Sequence, residues 1–159
     1  MNQSYPLPAT GSQPRENAAS ALMLSDLQKA HDELVAAMAV MDIVTRADVA
    51  ERSQYSSARW RLSQASLRRR TLWAAIFQHL RPRVGCRDAA DLDWLQTTHL
   101  EMLHNSAAHV GKWTVDRIEA DWRGYCEASR AIRWKMKAAM GAEKRILYPL
   151  LTGDALGRP

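Results

Sequence analysis

Apolar side chains recur from Leu24 at alternating steps of three and four: Leu24, Leu27, Leu34, Met38 and Met41, with His31 at the polar position of that rhythm. Such spacing lays residues along one stripe of an α-helix. A helix is predicted from Ser25, because Ser25 and Gln28 have capping-box spacing and Asp26 falls in the first turn, where the helix dipole favours an acid. A polar link is predicted over 45–57. A second helix follows over 57–80, with Leu62, Ser66, Trp73, Phe77 and Leu80 on one face. Pro82 and Gly85 end it. A third helix starts at Asp88 or Asp91 and carries Leu92, Leu95, His99, Met102, Ser106, His109 and Trp113 along its seam. Thr114 caps a short segment to Ala120. Asp121 caps a last helix to Leu151, whose seam is Tyr125, Ser129, Ile132, Met136, Ala139, Glu143, Ile146 and Leu150. Pro149 falls in its final turn.

No segment alternates with the period of two that a strand requires. Four long amphipathic helices on short links predict an all-α, antiparallel up-down-up-down four-helix bundle over 21–152. Residues 1–20, rich in Pro, Gly, Ser, Gln and Asn, are expected to form a disordered tail, and 153–159 a short C-terminal one. Five tryptophans, Trp73, Trp94, Trp113, Trp122 and Trp134, are placed where such helices pack, with some covering a dimer face.

Composition narrows the partners. The 159 residues carry a formal charge of +5, which suits an anionic partner or an ordinary basic surface. From Arg52 to Arg87 there are nine arginines and no lysine, aspartate or glutamate. Arg59, Arg70 and Arg81 recur every eleven residues, close to three whole turns, and define one stripe that Arg68 adjoins. With Trp60 and Trp73 nearby, that stripe is a candidate face for an acidic protein, and for nucleic acid as a polyanion. Arg130, Arg133, Lys137 and Lys144 extend it on the last helix. No recognised nucleic-acid-binding motif accompanies it. Cys86 and Cys126 have neither CxxC nor zinc spacing and read as reduced thiols of a cytoplasmic protein. The chain has no run of about 18 apolar residues and no secretory signal at its N-terminus, so no membrane is expected. Glycine-rich phosphate loops, G-x-S-x-G, HExxH and paired carboxylates at catalytic spacing are absent, so no enzyme activity is expected.

His31, His99 and Glu143 interrupt otherwise apolar seams. His31 lies six residues past its predicted cap, about 9 Å along the axis. In an up-down-up-down arrangement the three fall in one layer near one end. His79 sits at a similar level but about 100° from the centre of its apolar face, and His109 lies near the opposite end. Such a layer is either a hydrogen-bonded polar core that fixes register or a metal site.

The last helix, with Tyr125-Cys126-Glu127-Ala128-Ser129 followed by Ala142-Glu143-Lys144-Arg145-Ile146-Leu147-Tyr148-Pro149-Leu150-Leu151, resembles the final helix of hemerythrin-like (HHE cation-binding) domains. Leu27-x-x-x-His31-x-x-Leu34 resembles their opening motif. The resemblance implies a four-helix bundle and, in intact members, a di-iron centre held by histidines and carboxylates. This chain departs from that ligand pattern. His79 is followed four residues later by Arg83 instead of a glutamate, His99 is flanked one turn away by Leu95 and Leu103, and Ala139 stands where a histidine precedes Glu143. The expectation is a hemerythrin-like domain with a degenerate metal site: no cofactor, and a non-enzymatic regulatory or interaction role with an acidic protein partner or in a homodimer. The alternative is an iron- or other divalent-metal-binding, redox-sensing domain using His31, His99, Glu143 and His79. The other alternative binds a polyanion through Arg59, Arg68, Arg70 and Arg81.

Overall fold

A computed structural model describes residues 12–153, which are helical with short connections and no strand. Five helices follow one another: α1 Ser12–Val44, α2 Arg52–Leu80, α3 Cys86–Lys112, the short α4 Val115–Ala120, and α5 Trp122–Thr152. The caps of the last two form as the sequence predicts. The Thr114 side chain accepts from the Arg117 backbone N–H, and the Asp121 side chain accepts from that of Gly124 at 2.9 Å. A Cβ on Gly124 would lie within 2.2 Å of the Asp121 carboxylate, so this cap needs glycine there. Gly153, at φ +80°, ends α5 in the left-handed conformation common past helix ends.

The expected starts of α1, α2 and α3 are corrected, α3 beginning at Cys86 with Gly85 at its N-cap in place of Asp88 or Asp91. The helix predicted from Ser25 begins at Ser12, so residues 12–20 are not the disordered tail expected for them. Alanine, leucine and methionine between Ala18 and Met23 favour helix, and Pro14 lies in the first turn, where its missing N–H costs little. The extension is tied to the end of α2: Glu16 pairs with Arg83 at 3.6 Å, and the Ser20 hydroxyl lies 2.9 Å from His79 Nε2. Residues 1–11 and 154–159 of the expected tails lie outside the described residues. The second helix starts at Arg52, because Tyr55 is fully buried in what reads as a polar link and bonds Glu119 at 3.2 Å through its hydroxyl.

Helix α1 packs on α2 and α5, and α5 also packs on α3 and α4. Paired residues ascend α1 as they descend α2 (Ser20 with His79, Glu33 with Arg68), so these two run antiparallel. The pairs His31–Glu143 and Asp42–Arg133 give the same relation between α1 and α5. The buried apolar residues form three clusters along the molecule. Leu27, Ile76, Leu92 and Leu147 belong to the first, Leu34, Met38, Met102 and Met136 to the second, and Tyr55, Trp113, Ile118 and Tyr125 to the third.

Tryptophan placement is also corrected. Trp73 and Trp113 are buried, but Trp94 and Trp134 are 52% and 71% exposed. Both lie beside the α3–α5 seam residues without being on them, and line a shallow surface depression together. No helix among the described residues is long and apolar enough to cross a membrane.

Between the second and third apolar clusters, Arg133 is 2% exposed, which removes it from the outer basic face expected for it. It donates to Asp42, to the Thr45 hydroxyl at 3.0 Å and to the Ser129 hydroxyl. Replacing Arg133 with alanine removes three buried or half-buried hydrogen bonds at once and is expected to cost roughly 2–3 kcal/mol. Arg68→Ala, whose pair with Glu33 is exposed on both sides, is expected to cost under about 1 kcal/mol. Urea denaturation of the two variants checks this order, and equal losses would contradict it.

Candidate functional site

The polar layer of α1 and α5 forms between the first two apolar clusters. His31 is fully buried and Glu143 is 3% exposed. His31 Nε2 lies 2.9 Å from Glu143 Oε2, and its Nδ1 lies 2.9 Å from the Tyr148 hydroxyl. An ionised carboxylate only accepts, so Nε2–H donates; in the neutral ring Nδ1 then accepts from Tyr148. The ring of Tyr148 also stacks on His31, with centroids 5.9 Å apart.

The fourth member is Arg69 of α2, 4% exposed, whose guanidinium donates to Glu143 Oε1. An isolated carboxylate at this depth would be very unfavourable. Burial pushes the Glu143 carboxyl up, but the His31 hydrogen bond and the Arg69 charge outweigh it and hold the group below its ordinary value. Arg69 and Tyr148 were not singled out from the sequence. A signal for Arg69 exists: Ala65, Arg69, Trp73, Ile76 and Leu80 are spaced four, four, three and four apart, and they are the buried face of α2. The face read from Leu62, Ser66 and Phe77 is rotated from it, and those three are only half-buried.

His99 takes a different neighbour. Its ring stacks on Trp73 with centroids 4.2 Å apart and an interplanar angle of 9°. Its Nδ1 is buried with no hydrogen-bond partner among the described residues. Burial, then Arg69, lower its pKa. His79 is held by Ser20, and burial and Arg83 lower its pKa too. The donor set does not fit the di-iron centre that the resemblance implies. Both Glu143 oxygens are engaged, one by a fixed cation, and both His31 nitrogens are engaged. Among the described residues, no three His, Cys, Asp or Glu side chains come together as a metal-holding group.

The arginine stripe divides. Arg68 pairs with Glu33 and Arg81 with Asp93. Arg59 and Arg70 line a cavity of about 490 Å³ bounded by α2, α3 and α5. Arg59 lies over the Tyr125 ring at 5.8 Å. The Nε of Arg70 is buried without a hydrogen-bond partner, and Arg70 has no ion pair among the described residues. His109 lines the far end, its pKa lowered to about 4 by burial first and then by Arg59, Arg133 and Lys112. Cys86 is exposed and Cys126 buried, and both are free thiols.

No protein-family model matches the chain, and no curated protein and no solved structure matches it either.

Two outcomes follow from the buried charges. Glu143→Ala leaves Arg69 buried and uncompensated and is expected to cost about 3–5 kcal/mol. The double variant Arg69→Met with Glu143→Leu removes both charges and is expected to be clearly more stable than that single variant in urea titrations; a double variant as unstable as the single one would contradict the charge argument. The pH dependence has a defined sign. Glu143 stabilises above its ordinary value of 4.5 and loses that contribution as pH falls through its depressed folded value. His109 takes up its proton near 6.5 when unfolded and near 4 when folded, so its contribution is full above 6.5 and drains between about 6.5 and 4. Unfolding midpoints are therefore expected to fall across that window, and less steeply in His109→Gln; an unchanged slope in the variant would exclude His109 as a source.

Proposed function

We propose that this chain is an antiparallel up-down-up-down four-helix bundle similar to hemerythrin-like domains, in which a buried arginine has taken the place of the metal charge. In this reading the protein is a non-enzymatic regulatory or interaction module. The observation that carries it is the buried Arg69–Glu143 pair. A bundle carboxylate that would ligate a metal needs a positive partner, and a guanidinium supplies one permanently. The antiparallel pairings of α1 with α2 and of α1 with α5 support the bundle topology. His31 and Glu143, which carry the resemblance at the two ends of the chain, meet at 2.9 Å. The paired state of Arg68 and Arg81 favours this reading over a polyanion-binding face. An acidic partner or a second copy remains the proposed kind of partner, and the exposed Trp94 and Trp134 are the side chains best suited to such a contact.

The test is metal content by plasma mass spectrometry, on untagged full-length protein expressed with added iron and purified without chelator. Far less than one metal per chain is expected, with unchanged helicity after chelator treatment. Near-stoichiometric iron, manganese or zinc, lost in His31→Ala, would overturn the reading in favour of a metal-binding or redox-sensing domain.

A further inference from the structure

The cavity between α2, α3 and α5 has a charge pattern that the folded chain does not itself balance. Three arginines line it, Arg59, Arg69 and Arg70. Among the described residues their ion pairs amount to one, Arg69 with Glu143. Arg69 is 96% buried by its 4% exposure, lines the cavity, and keeps its Nε unpartnered. At the same end, Arg70 Nε and His99 Nδ1 are buried and unpartnered too. With Trp73 Nε1 they make, among the described residues, four buried nitrogens without partners beside this cavity, where nearly all buried polar atoms of a folded protein find partners. Arg70 as a whole is half-buried, lines the cavity and has no ion pair among the described residues, so its guanidinium is the donor that a ligand acceptor would meet.

The remaining walls define the body of that ligand. Leu62, Met102, Leu103, Ile132 and Met136 form an apolar surface between the ends, interrupted by the hydroxyls of Ser63, Ser66, Ser106 and Ser129. Arg59 and Arg70 are eleven residues apart on one helix, about 16 Å along its axis, so the cavity is long. Its volume of about 490 Å³ lies within the range of small-molecule sites. His99 and His109, both with lowered pKa values, add no charge at neutral pH. Arg59 already faces the Tyr125 ring, which leaves Arg70 as the unpartnered cation.

We propose that this cavity binds an amphipathic organic carboxylate, its head on Arg70 beside His99 and its apolar body along the methionine and leucine wall. A planar carboxylate matches the guanidinium fork. The apolar walls give a strongly hydrated inorganic anion nothing to bury. A nucleic-acid strand does not enter a slot closed on three sides by helices. The regulatory meaning of such a ligand rests on the module reading above. Its binding stands on the cavity alone, and is tested without reference to metal content.

The experiment is isothermal titration of the full-length protein with three probes of equal chain length: octanoate, octan-1-ol and octylammonium. Intrinsic tryptophan fluorescence, to which Trp73 stacked on His99 contributes, gives a second readout. Saturable one-to-one binding of octanoate is expected, at least tenfold tighter than octan-1-ol, with octylammonium weakest. Arg70→Gln should erase that preference while octan-1-ol binding persists. Ser106→Trp, which fills the cavity, should abolish both, and Arg68→Gln should change neither. Circular dichroism confirms that each variant is folded. The proposal is overturned if octanoate shows no saturable binding at millimolar concentration, if it binds no tighter than the alcohol, or if folded Arg70→Gln retains the preference. Loss of octanoate binding with a metal-filled protein would sink both readings; loss in a metal-free protein would sink this one alone.

Discussion

A carboxylate with almost no access to water needs a cation, and the arrangement of α1, α2 and α5 follows from that need. Glu143 is inserted between the apolar side chains of Met140 and Leu147. It is tolerated there because α1 delivers a histidine N–H and α2 delivers a guanidinium to its two oxygens. The pair adds little net stability, since the desolvation of two ions offsets much of their attraction. What it gives is register. A one-turn slide of α1 or α2 would strand the charge, a penalty that apolar seams alone do not impose.

The same device recurs about ten residues earlier on α5. Arg133 separates the second apolar cluster from the third and ties α5 to the end of α1 through Asp42 and Thr45. The core is thus three apolar layers divided by two polar ones, both built on an arginine reaching an acid of another helix. Among the described residues, no such tie joins α3 to α2 at mid-length. Besides the apolar clusters they share, their links include the Trp73–His99 stack and, near the connection, the Arg81 contacts to Asp93 and Ala89. Helix α3 leans on α5, and the space it leaves against α2 is the cavity.

Arginines that look alike in the sequence have four separate fates. Arg68 and Arg81 form exposed ion pairs, Arg69 is buried on a carboxylate, Arg59 lies over an aromatic ring, and Arg70 faces the cavity with no anion. Arg68, Arg69 and Arg70 are consecutive, so each successive side chain is turned about 100° around the helix. That rotation, set against where α1, α3 and α5 lie, decides which one is solvated, which is neutralised and which is left free.

The seams of α3 and α5, the caps at Thr114 and Asp121, and the polar interruptions at His31 and Glu143 were all legible in the sequence, because they depend on local spacing and local hydrogen bonds. The first turns of α1 and α2 were not. Residues 12–20 and Tyr55 are ordered by contacts to His79, Arg83 and Glu119, far away in the chain. Periodicity also put His31 and Glu143 on inward faces without saying what they meet. That Arg69 and Tyr148 complete their layer while His99 turns to Trp73 is fixed by helix rotation and by the room between helices, both settled only when the helices pack. The sequence by itself determined the helices and their polar interruptions. The partners of those polar groups, and the cavity with its unbalanced charge, were decided by tertiary structure, because both depend on distances between segments that no local pattern encodes.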